Sequence, residues 1–164
     1  ESSNEAATAL TKVIGEEGFL DLMNFKAKEL GLTETYFYNP TGVDPEDINM
    51  PQDQINYSTA SNIAQLTKNL IFNQSEFLKI VSQKEYPFLK NTNELIGEIP
   101  EVIGGKTGTT DRAGECLMVI MKLNKNNENE YTIGVILNSK ERFNDMRTLF
   151  SCVVSNRGLS RTTE

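Results

Sequence analysis

Residues 115–123 and 130–138 are two strand-forming runs, with CLMVIMKL and YTIGVIL at their cores, joined only by the polar residues NKNNEN at 124–129. Short apolar, β-branched runs on either side of a polar, Asn-rich connection pair as an antiparallel hairpin. The first half reads mostly helical instead, and the period changes after residue 83. Residues 4–14 (NEAATALTKVI) are rich in Ala and Leu, with Ser2, Ser3 or Asn4 available as a cap, and Gly15 and Gly18 bracket a break. Residues 17–30 place Phe19, Leu20, Leu22, Met23, Phe25, Ala27 and Leu30 at helical spacings, and Gly31 supplies the stop. Residues 31–57, punctuated by Asn39-Pro40-Thr41-Gly42 and Asp44-Pro45, predict a long ordered loop or a series of turns. Ser58 is the expected cap of the next helix, with Ile63, Leu66, Leu70 and Ile71 on one side, and residues 75–81 predict one more short helix. Strand-like stretches follow at 85–89 and 102–107, and residues 142–154 return to helical spacing after the hairpin. The expected fold is therefore α+β, with no internal repeat: a helical lobe over 1–83 packed beside an antiparallel sheet and a terminal helix over 84–164.

The chain has 164 residues and a formal charge of −7, which argues against nucleic acid as a partner, since phosphate binding needs clustered Lys and Arg. Its 38% hydrophobic and 24% charged residues are ordinary for a globular protein. No apolar run approaches the roughly 18 residues needed to span a bilayer. The sequence opens on Glu1 without a basic-then-apolar leader, so a processed chain or a fragment is expected. Cys116 and Cys152 lack metal-binding spacing and are expected as two buried free thiols. There is no histidine. That absence removes Ser-His-Asp and Cys-His catalysis and most zinc sites, so no metal or cofactor is expected. Acid–base chemistry here must use Lys, a carboxylate or a hydroxyl.

One run has the residue types for such chemistry: GGKTGTTDRAG, Gly104 to Gly114. On a strand ending in Lys-Thr-Gly, Lys106 offers a cation near a reacting centre and Thr107 a hydroxyl for a carboxylate. Gly108 lets a substrate lie against the strand, and the Thr109 backbone N–H can help hold an oxyanion. A phosphate-binding loop needs an earlier glycine at the Gly-x-x-x-x-Gly-Lys-Ser/Thr spacing, which this run lacks. Alone, Lys-Thr-Gly reads equally well as a plain turn, and Ser2 and Asn4 alone read as a helix cap. Together, Ser2-x-Asn4 opening a helix 104 residues before Lys106 matches the two secondary motifs of serine acyltransferases that use Ser-x-x-Lys. In that setting Ser2 can relay a proton to a leaving amine, and Asn4 can hydrogen-bond the substrate amide and the catalytic lysine.

The runs SSNEAATAL, LMNFKAKELGLTETYFYNPTG, YSTASNIAQL and GGKTGTTDRAGECL, in this order, resemble the low-molecular-mass penicillin-binding proteins, the D-alanyl-D-alanine carboxypeptidases of the S11 peptidase type. The resemblance covers about residues 2 to 155. It implies the penicillin-recognising fold and a serine nucleophile with a lysine base acting on the terminal D-Ala-D-Ala bond of a peptidoglycan stem peptide. It implies β-lactam antibiotics as ligands and an extracytoplasmic place in the cell envelope. It gives Ser2, Asn4 and Lys106 catalytic roles and Thr107, Gly108 and Thr109 substrate-binding ones. Arg142, between the last strand and the terminal helix, resembles in position the family's carboxylate-binding arginine, for which a planar guanidinium is suited.

The match breaks at the nucleophile, because no Ser-x-x-Lys occurs in the sequence. By the resemblance it would precede Ser2-x-Asn4, hence Glu1, so the chain is expected to be a fragment that is inactive alone. Two other classes stay open: a non-catalytic module that binds stem peptides or a protein partner, and a β-lactamase, for which Glu46 is a poor candidate general base. Asp111 and Arg112 read as a surface pair, Tyr57 and Asn39 as loop packing, and Tyr36, Phe37 and Tyr38 as core. Exposed strand edges suit a dimer or pairing with the missing N-terminal segment.

Overall fold

The computed structural model describes residues 2–123 and 130–156, so the predicted polar connector at 124–129 lies outside the described residues. Helix α1 spans Asn4–Thr11, and its cap is Ser3, whose Oγ accepts from the Ala6 N–H at 3.0 Å. Helix α2 spans Glu16–Glu29. Gly15, with φ 82°, is its N-cap, whereas Gly18 lies inside the helix and marks no break. Gly31, with φ 70°, ends the helix as expected for a left-handed stop.

The following loop is ordered by side-chain amides rather than by a ladder. Asn24 donates to the Phe37 carbonyl and accepts from its N–H, both at 2.8 Å. Asn56 Oδ1 accepts from the N–H groups of Tyr38 and Asn39, and Tyr36 and Tyr57 form a lone antiparallel bridge. Tyr36 is 41% exposed, so the three-aromatic run is not all core; its ring packs on Tyr38 at 4.7 Å instead. A short 3-10 helix at Pro45–Ile48 interrupts the loop.

Helix α3 spans Ala60–Asn73 and α4 spans Ser75–Val81. Thr59, not Ser58, caps α3, its Oγ1 accepting from the Asn62 N–H at 3.2 Å. Ser58 Oγ is instead 2.8 Å from Thr35 Oγ1. The stretch predicted as one strand at 85–89 is two short strands, β1 (Glu85–Tyr86) and β2 (Leu89–Lys90), which turn back at Phe88 with φ 69°.

Strands β3 (Val102–Thr110), β4 (Gly114–Met121) and β5 (Thr132–Ser139) form an antiparallel sheet in that order, and helix α5 spans Arg142–Asn156. Strand β3 runs past the predicted end, so Lys-Thr-Gly sits within the strand rather than closing it. Alternation along β4 decides which helix covers which face. Leu117, Val119 and Met121 join Leu95, Ile99, Val102 and, from α5, Met146 and Phe150 in one buried cluster. Ile120 is equally buried but has the opposite parity, and it pairs with Gly104. A Cβ on Gly104 would lie 2.9 Å from Val81 Cγ2, which puts α4 on Ile120's face. The sheet is thus sandwiched, with α5 on one side and α4 on the other. A helical group beside an antiparallel sheet is the expected architecture. Both cysteines are free, but the expected burial fails: Cys116 is half-buried and Cys152 exposed.

Candidate active site

The N-terminus of α1 and the middle of β3 face each other across a cleft of about 1090 Å³. Ser2, Asn4, Lys106, Thr107, Gly108 and Thr109 all line it. Ser3 does the capping, which leaves the neighbouring Ser2 hydroxyl free of that task. Lys106 Nζ donates to Ser2 Oγ at 2.7 Å, and also to its neighbour's carbonyl, Thr107 O. Two cleft-lining residues 104 apart in sequence therefore share a hydrogen bond. Asn4 stands at the same helix start, with its backbone carbonyl accepting from Thr8 Oγ1 at 3.0 Å.

Alternation along β3 turns Thr107 inward, where it is 7% exposed. Its Oγ1 lies 2.5 Å from Thr92 Oγ1, a residue that the sequence patterns did not single out. Arg142 opens α5 and reaches the same strand. Its Nη1 donates to Gly108 O at 2.8 Å and to Thr109 Oγ1 at 2.6 Å, while its backbone N–H donates to Glu115 Oε2 at 3.0 Å. The arginine so placed is not part of the cleft lining.

The Lys106 amine is held below its ordinary pKa of 10.5. Partial desolvation in the cleft is the larger cause and the positive charge of Arg142 the smaller. A lowered pKa makes the Lys106 ammonium a stronger acid than a free lysine, and its hydrogen bond to Ser2 Oγ puts that hydroxyl in position to relay a proton.

Pro40 to Val43 also line the cleft and form a rim shaped by Asn39. The buried Asn39 Oδ1 accepts from the N–H groups of Thr41 and Gly42, at 3.2 and 2.7 Å, and its Nδ2 donates to Val43 O at 3.1 Å. This is the loop-packing role expected of it. Arg112 corrects its expectation: it pairs not with Asp111 but across the fold. Its N–H donates to Asp44 Oδ2 at 3.0 Å, Nε to Glu46 Oε1 at 2.9 Å and Nη1 to Gln52 O at 3.0 Å. Arg112 thus straps the β3–β4 turn to the segment after the rim, and its hydrogen bond holds the Glu46 carboxyl below the usual range. Among the described residues, no group of three His, Cys, Asp or Glu side chains is arranged to hold a metal.

A sheet flanked by helices, with a Ser-x-Asn helix start bonded to a Lys-Thr-Gly strand, is the architecture of the penicillin-binding proteins. Penicillin-binding protein D2 of Listeria monocytogenes, solved with ampicillin bound, superposes with a TM-score of 0.78 at 29% identity, covering 92% of this chain and 61% of that one. The chain belongs to the D-alanyl-D-alanine carboxypeptidase family, peptidase S11, whose sequence profile matches residues 1–141. It is 38% identical to the D-alanyl-D-alanine carboxypeptidase DacF of Bacillus subtilis over 132 residues, 74% of this chain. It is 34% identical to the D-alanyl-D-alanine carboxypeptidase DacC of Escherichia coli over 161 residues, 92% of this chain. It spans about a third of the length of each, 32% and 37%.

Proposed function

We propose that these residues form one wall of a serine-type D-Ala-D-Ala carboxypeptidase site, and that a Ser-x-x-Lys segment elsewhere in the whole protein supplies the nucleophile. The observation that carries this reading is the Lys106–Ser2 hydrogen bond facing a peptide-sized cleft. In this reading the stem peptide lies along β3 and its terminal carboxylate meets the Thr107 hydroxyl and the field of Arg142. The Thr109 N–H contributes to holding the oxyanion that forms when the serine attacks the D-Ala-D-Ala carbonyl. The attacking serine's proton passes to the lysine of Ser-x-x-Lys. Ser2 delivers its own proton to the departing D-alanine amine and regains one from that lysine, with Lys106 orienting the Ser2 hydroxyl and Asn4 fixing the substrate amide. Water releases the acyl group. β-Lactams enter the same cleft as acylating ligands, and the ampicillin-bound Listeria neighbour supports this. The expected setting is the outer face of the cytoplasmic membrane. Among the described residues no helix is long and apolar enough to cross a bilayer.

A fluorescent penicillin tests the reading. The whole protein should be labelled at the serine of Ser-x-x-Lys and the 164-residue chain left unlabelled; labelling of this chain at any of its serines overturns the assignment. In the whole protein, Lys106→Ala should slow acylation at least about tenfold, equivalent to ~1.4 kcal/mol.

The alternative reading is a binding module that keeps the groove without the chemistry. Stem-peptide binding by a whole protein that no penicillin labels would establish it. A β-lactamase finds no support, since Glu46 is bound to Arg112 and does not line the cleft. For self-association, the candidate surface is the outer edge of β5, which no strand covers among the described residues. Sedimentation as a monomer at high concentration would remove that dimer.

A further inference from the structure

The hydroxyl assigned to the substrate carboxylate is itself held by a second hydroxyl. Thr92 lies in the segment between β2 and β3, lines the same cleft, and places its Oγ1 2.5 Å from Thr107 Oγ1, with either oxygen able to donate. The segment that presents it is tied down on both sides. Asn91 Nδ2 donates to Gln83 O at 2.9 Å, and Asn91 Oδ1 accepts from the Asn93 N–H at 2.9 Å. Asn93 Oδ1 in turn accepts from the N–H of Leu95, a wholly buried core residue, at 3.2 Å. Backbone turns on each side thus fix where Thr92 stands.

A hydroxyl has one proton to give and lone pairs with which to accept. Between two threonines, the direction of the bond is open until a third group sets it. A carboxylate only accepts, so when one reaches Thr107 the Thr107 proton must point to it. Thr92 must then donate to Thr107. The chain Thr92 O–H to Thr107 O–H to carboxylate runs in one direction, and each link polarises the next. A neutral carboxamide polarises the chain less and also brings N–H donors that compete for Thr107's lone pairs.

We propose that Thr92 is a positioning residue for recognition of the substrate's terminal carboxylate, acting through Thr107 and favouring a free carboxylate over a neutral terminus. The proposal rests on the reading of Thr107 as the carboxylate's hydroxyl, and its test separates the two. An N-acyl-D-Ala-D-Ala peptide and its C-terminal carboxamide are titrated into the whole protein, as wild type and as Thr92→Val, Thr92→Ala, Thr92→Ser and Thr107→Val. Thermal unfolding of each variant confirms that it is folded. Expected is a wild-type preference for the carboxylate that falls about threefold to tenfold in Thr92→Val and Thr92→Ala, the range covered by the net strength of one hydrogen bond. Thr92→Ser, which keeps the hydroxyl, should retain the preference. Affinity for the carboxamide should not fall in any of the Thr92 variants. If Thr107→Val loses the preference while Thr92→Val and Thr92→Ala keep it, the role of Thr92 is overturned and that of Thr107 stands. A Thr92→Ser protein as impaired as Thr92→Val, or equal losses for both peptides, also overturns it by showing a steric effect. If wild type shows no preference, or Thr107→Val leaves it intact, the underlying reading falls and takes the proposal with it.

Discussion

Partial desolvation and, to a lesser degree, the positive charge of Arg142 both lower the pKa of Lys106. Replacing Arg142 with Gln should therefore raise the Lys106 pKa toward 10.5, whereas Arg142→Lys should largely keep it down; an NMR titration of the Lys106 amine decides. The same perturbation links stability to pH. Between its lowered pKa and 10.5, Lys106 binds fewer protons in the folded than in the unfolded chain. Stability thus rises with pH across that window, with the penalty complete below the lowered pKa and absent above 10.5. Lys106→Met should remove this rise, seen as a convergence of wild-type and variant urea midpoints as pH increases toward 10.5. Ser2, Asn4 and Lys106 were legible in the sequence because two motifs of unusual residue types occur in a set order. Thr92 was not, since a lone threonine between two asparagines has no spacing to betray a partner 15 residues on.

At the scale of elements, the two glycines before Lys106 show how closely β3 is packed. A Cβ on Gly105 would lie 2.5 Å from the Met118 carbonyl oxygen and 2.7 Å from Asn93 Nδ2, and the backbone atom cannot give way cheaply. Gly105→Ala should cost about 1–3 kcal/mol, as overpacking does, and should disturb the Lys-Thr-Gly strand as well. Gly18 is the opposite case. It is helical, a Cβ there would meet nothing within 4 Å, and Gly18→Ala should stabilise by about 0.5–1 kcal/mol in thermal unfolding. Helices and strands were readable from their periods, while their ends were less so. Ser58 reads as a cap as well as Thr59 does, and only the fold reveals that its hydroxyl is engaged with Thr35. Strand β3 continues to Thr110 because β4 pairs with it that far, Thr110 opposite Gly114, a partnership invisible along the chain.

On the scale of the whole molecule, Arg112 joins the β3–β4 turn to residues 44–52 and so braces the rim formed by Pro40 to Val43. The Glu46 part of this contact is exposed, and exposed ion pairs contribute little. Arg112→Ala should accordingly leave global stability nearly unchanged yet speed hydrogen exchange across 40–52, because the strap acts locally. An unchanged exchange pattern would count against the bracing. Contacts of this kind join residues sixty or more positions apart and leave no periodic trace in sequence, hence the local reading of Arg112 as a partner for Asp111. The bond between Ser2 and Lys106 has a temporal consequence as well. Closing so long a loop is entropically unfavourable until intervening structure shortens it, so this contact belongs to the last stages of folding. A partly folded or nascent polypeptide would lack this hydrogen bond, and the pair would come together only with the finished topology.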